Sequence, residues 1–240
     1  MKILALDSSG LVASVAVAQD DVLVAEYTVN YKKTHSQTLL PMLDEIVSMT
    51  EMDLGSIDAI ALAAGPGSFT GLRIGAATAK GLGLALDKPI VSVPTVDALA
   101  YNLYDTDKVI CPMMDARRRQ VYTGLYTFEN HCLKTLKEQT PAAVEDLAGW
   151  LNELGREVIF LGDGVPVYRG IVEEKVKVPF SFAPAHLNRQ RAGAVAALGM
   201  VYFREGRLEN ARDCRPEYLR LSQAERERAE KLKKEEKENL

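Results

Sequence analysis

The sequence predicts an α/β fold in two similar lobes, each with the element order βββαβαβα. Three observations predict it. Apolar runs of strand length alternate with stretches of helical periodicity. The order read along the first part of the chain starts again at Lys108. Each copy opens on an apolar run that ends in aspartate, KILALD at 2–7 and KVICPMMD at 108–115. At 240 residues the chain is long enough for a substantial core.

In the first copy KILALD reads as a buried strand, followed by LVASVAVAQ (11–19) and DVLVAEYTV (21–29) across short polar turns, which suggests antiparallel hairpins. THSQTLLPMLDEIVSMT (34–50) is helical, with Leu39, Leu43 and Val47 on one face and Leu40, Ile46 and Met49 beside it. Pro41 is comfortable only in a first turn, so this helix is expected to begin nearer Gln37 or to kink. DAIALAAG (58–65) is a strand, TGLRIGAATAKGLGLALD (70–87) a helix, PIVSVP (89–94) a strand and TVDALAYNLY (95–104) a helix.

After Lys108 the second copy adds strands RQVYTGLYTF (119–128) and HCLKTLKEQT (131–140), helix 142–154, strand EVIFLG (157–162) and helix 165–174. A short strand VKVPF (176–180) and helix 188–206 complete it. Self-similarity on this scale outranks any single motif. It is the order of a duplicated actin-like (ribonuclease H-like) fold, with a cleft between an N-terminal lobe at 1–106 and a C-terminal lobe at 107–222. The stretch 223–240 mixes acids and bases with almost no apolar face and reads as a solvated helical tail.

A net charge of −4 and pI near 5.5 argue against a general polyanion binder, so contact with RNA is expected to be local or made through partners. The apolar start is too short for a signal peptide, and no window is long and apolar enough for a membrane span. Cys111, Cys132 and Cys214 make neither a zinc pattern nor a disulfide framework, which suits a reducing cytoplasm.

The turn AAGPGSFTG (63–71) sits between a strand and a helix, where phosphate is often held, yet it fits neither nucleotide motif. Thr70 stands where a phosphate loop needs glycine, and the spacing Gly65-Gly67-Gly71 is one residue too long for a dinucleotide fingerprint. Beyond it, Gly71, Gly75, Ala79 and Gly83 recur every four residues. Mid-helix glycine costs about 1 kcal/mol against alanine, so close approach of another backbone is expected. That backbone belongs either to the lobe's own interior or to a helix of another chain.

Asp7-Ser8-Ser9-Gly10 would face the cleft, where an aspartate and hydroxyls can hold Mg²⁺ and phosphate; it is also an ordinary hairpin turn. The matching turn after Asp115 carries Arg117, Arg118 and Arg119, bulky where phosphate needs close backbone approach, and reads either as a solvated turn or as a side-chain contact for an anion or acidic partner. His35, His131 and His186 each stand alone, so no metal site is expected, and nothing resembles a nucleophile elbow.

HSQTLLPML, AGPGSFTGLRIGAATAKGL, VSVPTVDALA, MDARRRQVYTGLY, FLGDG and PEYLR together resemble the bacterial TsaB (YeaZ) family of tRNA threonylcarbamoyladenosine modification, over nearly the whole chain. The resemblance implies an inactive paralogue of the catalytic subunit TsaD with the same actin-like fold. The two histidines of TsaD's metal motif would fall at Thr95 and Leu99, which cannot replace imidazoles. It implies pairing with TsaD, or with a second copy in its absence, through the helices beginning near His35 and Thr70. The expected interface residues are His35, Leu39, Leu43, Phe69, Leu72, Ile74, Gly75 and Ala79. An ATPase of the TsaE type would join through the complex, and tRNA would be met only indirectly. No resident cofactor is implied, a nucleotide being left open only within the complex, and Asp7, Ser8, Ser9 and Asp115 would form a vestigial nucleotide site. The alternative is a working phosphotransferase or ATPase with Asp7 as its magnesium contact; proteolysis, a third reading, lacks both metal pair and nucleophile.

Overall fold

The computed structural model describes residues 1–31 and 34–220; the tail assigned to 223–240 lies outside the described residues. The first copy forms β1 (Lys2–Asp7), β2 (Ala13–Gln19), β3 (Val22–Val29), α1 (His35–Thr50), β4 (Ala59–Gly65), α2 (Phe69–Leu86), β5 (Ile90–Pro94) and α3 (Thr95–Tyr101). The second forms β6 (Val109–Asp115), β7 (Gln120–Glu129), β8 (Cys132–Ala143), α4 (Val144–Leu154), β9 (Val158–Leu161), α5 (Gly164–Lys175), β10 (Phe180–Phe182) and α6 (Ala192–Arg204).

The two sheets have the same topology. Their strand orders are β3-β2-β1-β4-β5 and, read in the same sense, β8-β7-β6-β9-β10. In each, the first three strands run as an antiparallel meander and the last two join in parallel through helical crossovers. The fold is thus the duplicated, actin-like α/β architecture that the sequence predicts.

Some bounds differ from expectation, each for a local reason. Helix α1 begins at His35 and carries Pro41 inside it. Pro41 and Gln37, whose carbonyl loses its donor, are both exposed, so the missing bond falls on the solvent side of the helix, where it costs least. The last strand lies at Phe180–Phe182 instead of 176–180, because Phe180 and Phe182 pack on Phe160. Helix α6 starts only at Ala192, whose N–H donates to Ser14 Oγ at 2.8 Å.

One face of the first sheet, with Leu4, Leu6, Val15, Val17 and Leu62, is covered by α1 and α2. Its other face, with Ile3, Ala5, Ala61 and Val93, is covered by α6 from the second copy. Reciprocally, Val96, Leu99 and Leu103, on and just after α3, pack with Ile110, Met114 and Tyr126 of the second sheet. The final helix of each copy therefore crosses to the other copy's sheet. Gly199 allows α6 to lie flat on β4, since a Cβ there would stand 2.8 Å from Ala61 Cβ.

Candidate functional site

The lobes enclose a cleft of about 510 Å³, floored by the turns that leave β1 and β6 and rimmed by Phe69, Tyr218, Arg117 and Arg220. The two turns are built alike. Asp7 Oδ1 accepts the N–H of Ser9 at 2.9 Å and its hydroxyl at 2.6 Å. Asp115 Oδ1 accepts the N–H of Arg117 at 2.8 Å and the hydroxyl of Tyr168 at 2.8 Å. In both copies the carboxylate ending the first strand caps its own turn two residues on, so the turn already holds an anion of its own.

The Asp7 turn is also sealed. Asp7, Ser8 and Ser9 are at most 1% exposed. Ser8 donates its hydroxyl to the Gly71 carbonyl at 2.9 Å, and the Ser9 carbonyl accepts the Ser68 N–H at 2.6 Å. Burial pushes the Asp7 carboxyl up to about 6, against the pull of the Ser9 hydrogen bonds and the His35 charge. A site for Mg²⁺ and phosphate needs an open carboxylate and open hydroxyls. These residues do not fit one.

The glycines of the 63–71 turn provide the close approach that seals it. A Cβ at Gly67 would lie 2.2 Å from the Ser9 carbonyl, and one at Gly71 would lie 2.1 Å from the Ser8 carbonyl. Gly65, at φ +130°, faces the Glu217 carbonyl at 2.2 Å from its Cβ position. The stripe continues inward: Gly75 meets Ser8 Oγ at 2.4 Å, Ala79 is fully buried, and Gly83 meets Ala211. Within the chain, the stripe meets its own interior.

The expected interface residues divide accordingly. Leu39, Leu43, Leu72, Gly75 and Ala79 are buried within the chain's own core, and Ile74 is half-buried against it. Their side chains lie on the inward ridge of each helix, the one the sheet requires. His35 Nε2 donates to the Gly10 carbonyl at 2.8 Å and so pins the sealed turn. Phe69 lies at the cleft rim, stacked on Tyr218 at 4.6 Å with the Arg73 guanidinium 4.0 Å from its ring centre. The outer faces of α1 and α2 expose Leu40, Met49 and Leu84, the last two at 77% and 50%, together with Ala77 and Gly81. A Cβ at Gly81 would meet nothing within 4 Å.

Arg117, Arg118 and Arg119 follow one another in the left-handed region, at φ 64°, 54° and 59°. Left-handed backbone costs a side-chain-bearing residue on the order of 1 kcal/mol or more. The turn is held by Asp115 under Arg117, by an Arg119–Glu145 ion pair and by Arg220, which donates to the Ala116 carbonyl at 2.8 Å. Arg117 is 88% exposed. Arg118 makes no ion pair or side-chain hydrogen bond among the described residues.

Thr95 and Leu99 are structural. The Thr95 hydroxyl accepts the Gly65 N–H at 3.1 Å, and Leu99 is buried beneath the second sheet. Among the described residues no group of three or more His, Cys, Asp or Glu is arranged to hold a metal ion. Likewise no helix among them is long and apolar enough to cross a membrane.

Sequence reasoning missed the C-terminal strap. From Leu208 the chain bridges β5 through Glu209, crosses α2 at Arg212, and lays Glu217 across Ala64 and Gly65. It then reaches the other lobe, where Gln139 donates to Glu217 at 3.0 Å and Arg220 holds Ala116. PEYLR carried the signal, an aromatic and an arginine in an otherwise unassigned stretch. Asp163, in FLGDG, was also missed: it accepts the Asp115 N–H at 3.1 Å, and burial raises its carboxyl pKa.

A family model described as tRNA N6-adenosine threonylcarbamoyltransferase (TsaD) matches residues 23–228. The tRNA threonylcarbamoyladenosine biosynthesis protein TsaB of Bacillus subtilis is 34% identical over 225 residues, which span 94% of this chain and 96% of that one. The Escherichia coli protein of the same description is 28% identical over 224 residues, 92% and 95% of the two chains. Among solved structures, YeaZ from Pseudomonas aeruginosa has a TM-score of 0.78 at 27% identity, covering 91% of this chain and 99% of its own. Component A of the Acidaminococcus fermentans (R)-2-hydroxyglutaryl-CoA dehydratase, at 13% identity and a TM-score of 0.52 over 86% and 99%, shares the fold alone.

Proposed function

The chain belongs to the TsaB family of tRNA threonylcarbamoyladenosine biosynthesis, and from that premise we propose that it is a non-catalytic partner subunit. It binds a TsaD-type catalytic subunit and holds it in the arrangement that transfers threonylcarbamoyl to a tRNA adenosine. The observation that carries this reading is the sealed Asp7 turn: the side chains that would do chemistry in this fold are buried and hydrogen-bonded to the chain's own backbone. A protein whose reactive corner is closed in this way contributes surface instead.

The surface proposed for the partner is the outer face of α1 and α2, where Leu40, Ala77, Gly81 and Leu84 combine apolar area with room for close approach. Without TsaD the same face pairs with a second copy. A TsaE-type ATPase joins through the assembled complex in the cytoplasm, and any nucleotide is held at the subunit junction, not by this chain alone.

Reconstitution tests the reading. The chain, its cognate TsaD and the ATPase, mixed with tRNA and a threonylcarbamoyl donor, are expected to modify tRNA, and leaving this chain out is expected to abolish modification. Modification by the chain alone, or full activity without it, overturns the proposal.

A further inference from the structure

The cleft mouth has two unlike rims. On the C-terminal lobe the left-handed turn presents Arg117 and Arg118 outward, braced by Arg119 and Arg220. Four guanidinium groups stand there; Asp115 and Glu145 pair with Arg117 and Arg119, while Asp163 and Glu217, which with Asp115 are the carboxylates lining the cleft, are hydrogen-bonded to the Asp115 N–H and to Gln139. Arg118 has no ion pair or side-chain hydrogen bond among the described residues and Arg117 is 88% exposed, so the turn offers two outward guanidinium groups on a chain whose net charge is −4. On the N-terminal lobe, Phe69 and Tyr218 stack with Arg73 against the Phe69 ring, and Tyr218 is 41% exposed. Of these residues Phe69, Asp115, Arg117, Tyr218 and Arg220 line the same cleft.

We propose that a single-stranded stretch of RNA lies across this mouth, its phosphates on Arg117 and Arg118 and a base on Tyr218. Arginine forks match phosphate oxygens in pairs, and an aromatic face accepts any base. An acidic protein would satisfy the arginines but has no need of the exposed aromatic face opposite. The left-handed backbone supports the same assignment. Glycine or asparagine would fit those φ values with less strain; Arg119 is accounted for by its pair with Glu145, whereas Arg118 has no partner among the described residues and Arg117 stays 88% exposed, which leaves these two for a ligand. The inference rests on the proposed role in tRNA modification and adds a direct contact where the sequence suggested only an indirect one.

The test measures tRNA transcript affinity of the assembled complex with TsaD across a salt series, with assembly checked by size exclusion in the same samples. Arg117→Glu/Arg118→Glu is expected to weaken binding at least tenfold and to flatten the slope of log K against log salt by one to two. Tyr218→Ala is expected to weaken binding about tenfold with the salt slope unchanged. Arg118→Gly relieves the backbone, so its Tm is expected to rise while affinity falls; a purely structural turn would move Tm alone. Unchanged affinity and slope in intact complexes overturn the RNA assignment. So does loss of a protein subunit from the variant complex with the RNA affinity of the remainder intact, which would mark the turn as a protein contact. Failure of the wild-type chain to assemble with TsaD is a different result, visible on the column, and it overturns the parent reading together with this one.

Discussion

Asp7 ends the first strand and lies buried there. Burial lifts its carboxyl from 3.8 to about 6, so the folded chain holds that proton more tightly than the unfolded chain does. The resulting stability is complete below pH 3.8 and is lost as pH rises through about 6. Above that, the ionised carboxylate costs the fold about 3 kcal/mol at 1.36 kcal/mol per pH unit. Asp7→Asn keeps an acceptor oxygen for Ser9 and removes the charge. Urea denaturation is therefore expected to find the variant more stable by up to about 3 kcal/mol at pH 8, with the gap closing near pH 4; a gap that does not change with pH would contradict the account. The sequence marked Asp7 correctly as the residue ending the first strand. Its burial was not legible, because the cover comes from Gly67, Gly71 and His35, residues distant in the chain. Nor was the conformation of the arginine turn, since nothing in an arginine favours left-handed backbone.

At the scale of the element, α2 carries small residues in two settings, one packed and one open. Gly75 has no room: Ser8 Oγ and Leu62 Cδ1 lie 2.4 and 3.2 Å from its Cβ position. Gly81 faces open space. Gly75→Leu is expected to destabilise the fold by several kcal/mol through overpacking. Gly81→Leu is expected to stabilise the isolated chain by about 0.5–1 kcal/mol through helix propensity and to weaken association with TsaD. Thermal melts and pull-downs separate these outcomes, and a Gly75→Leu chain that stays folded but unbound would restore the inward row to the interface. Periodicity exposed the stripe every four residues, but periodicity reports only that a face is close to something. The neighbour here is the β1–β2 turn, which a one-dimensional pattern does not reveal. Strand and helix order was legible throughout, because apolar runs such as KILALD and EVIFLG are bounded by clear polar breaks.

At the scale of the whole molecule, the duplication was readable and the crossing of the last helices was not. Ala-rich α6 announces that it is covered, yet its sequence does not say by which sheet. Because α6 closes the first sheet and α3 closes the second, neither copy is a self-sufficient packing unit. Residues 1–106 expressed alone are expected to aggregate, with Ile3, Ala5, Val91 and Val93 uncovered, and the full chain to melt in a single transition. Two resolved calorimetric transitions would show that the lobes are independent instead. The strap adds a second tie, from Glu209 on β5 to Arg220 on the far lobe.

The crossing of α6 also sets a timetable for biogenesis. At a ribosomal pace of roughly 5–20 residues per second, the first sheet emerges with one greasy flank bare for about 5–20 s until the stretch around Val195 is translated. During that interval the uncovered face is open to association, and synonymous codons that slow elongation between β5 and α6 are expected to lower the yield without altering a single side chain.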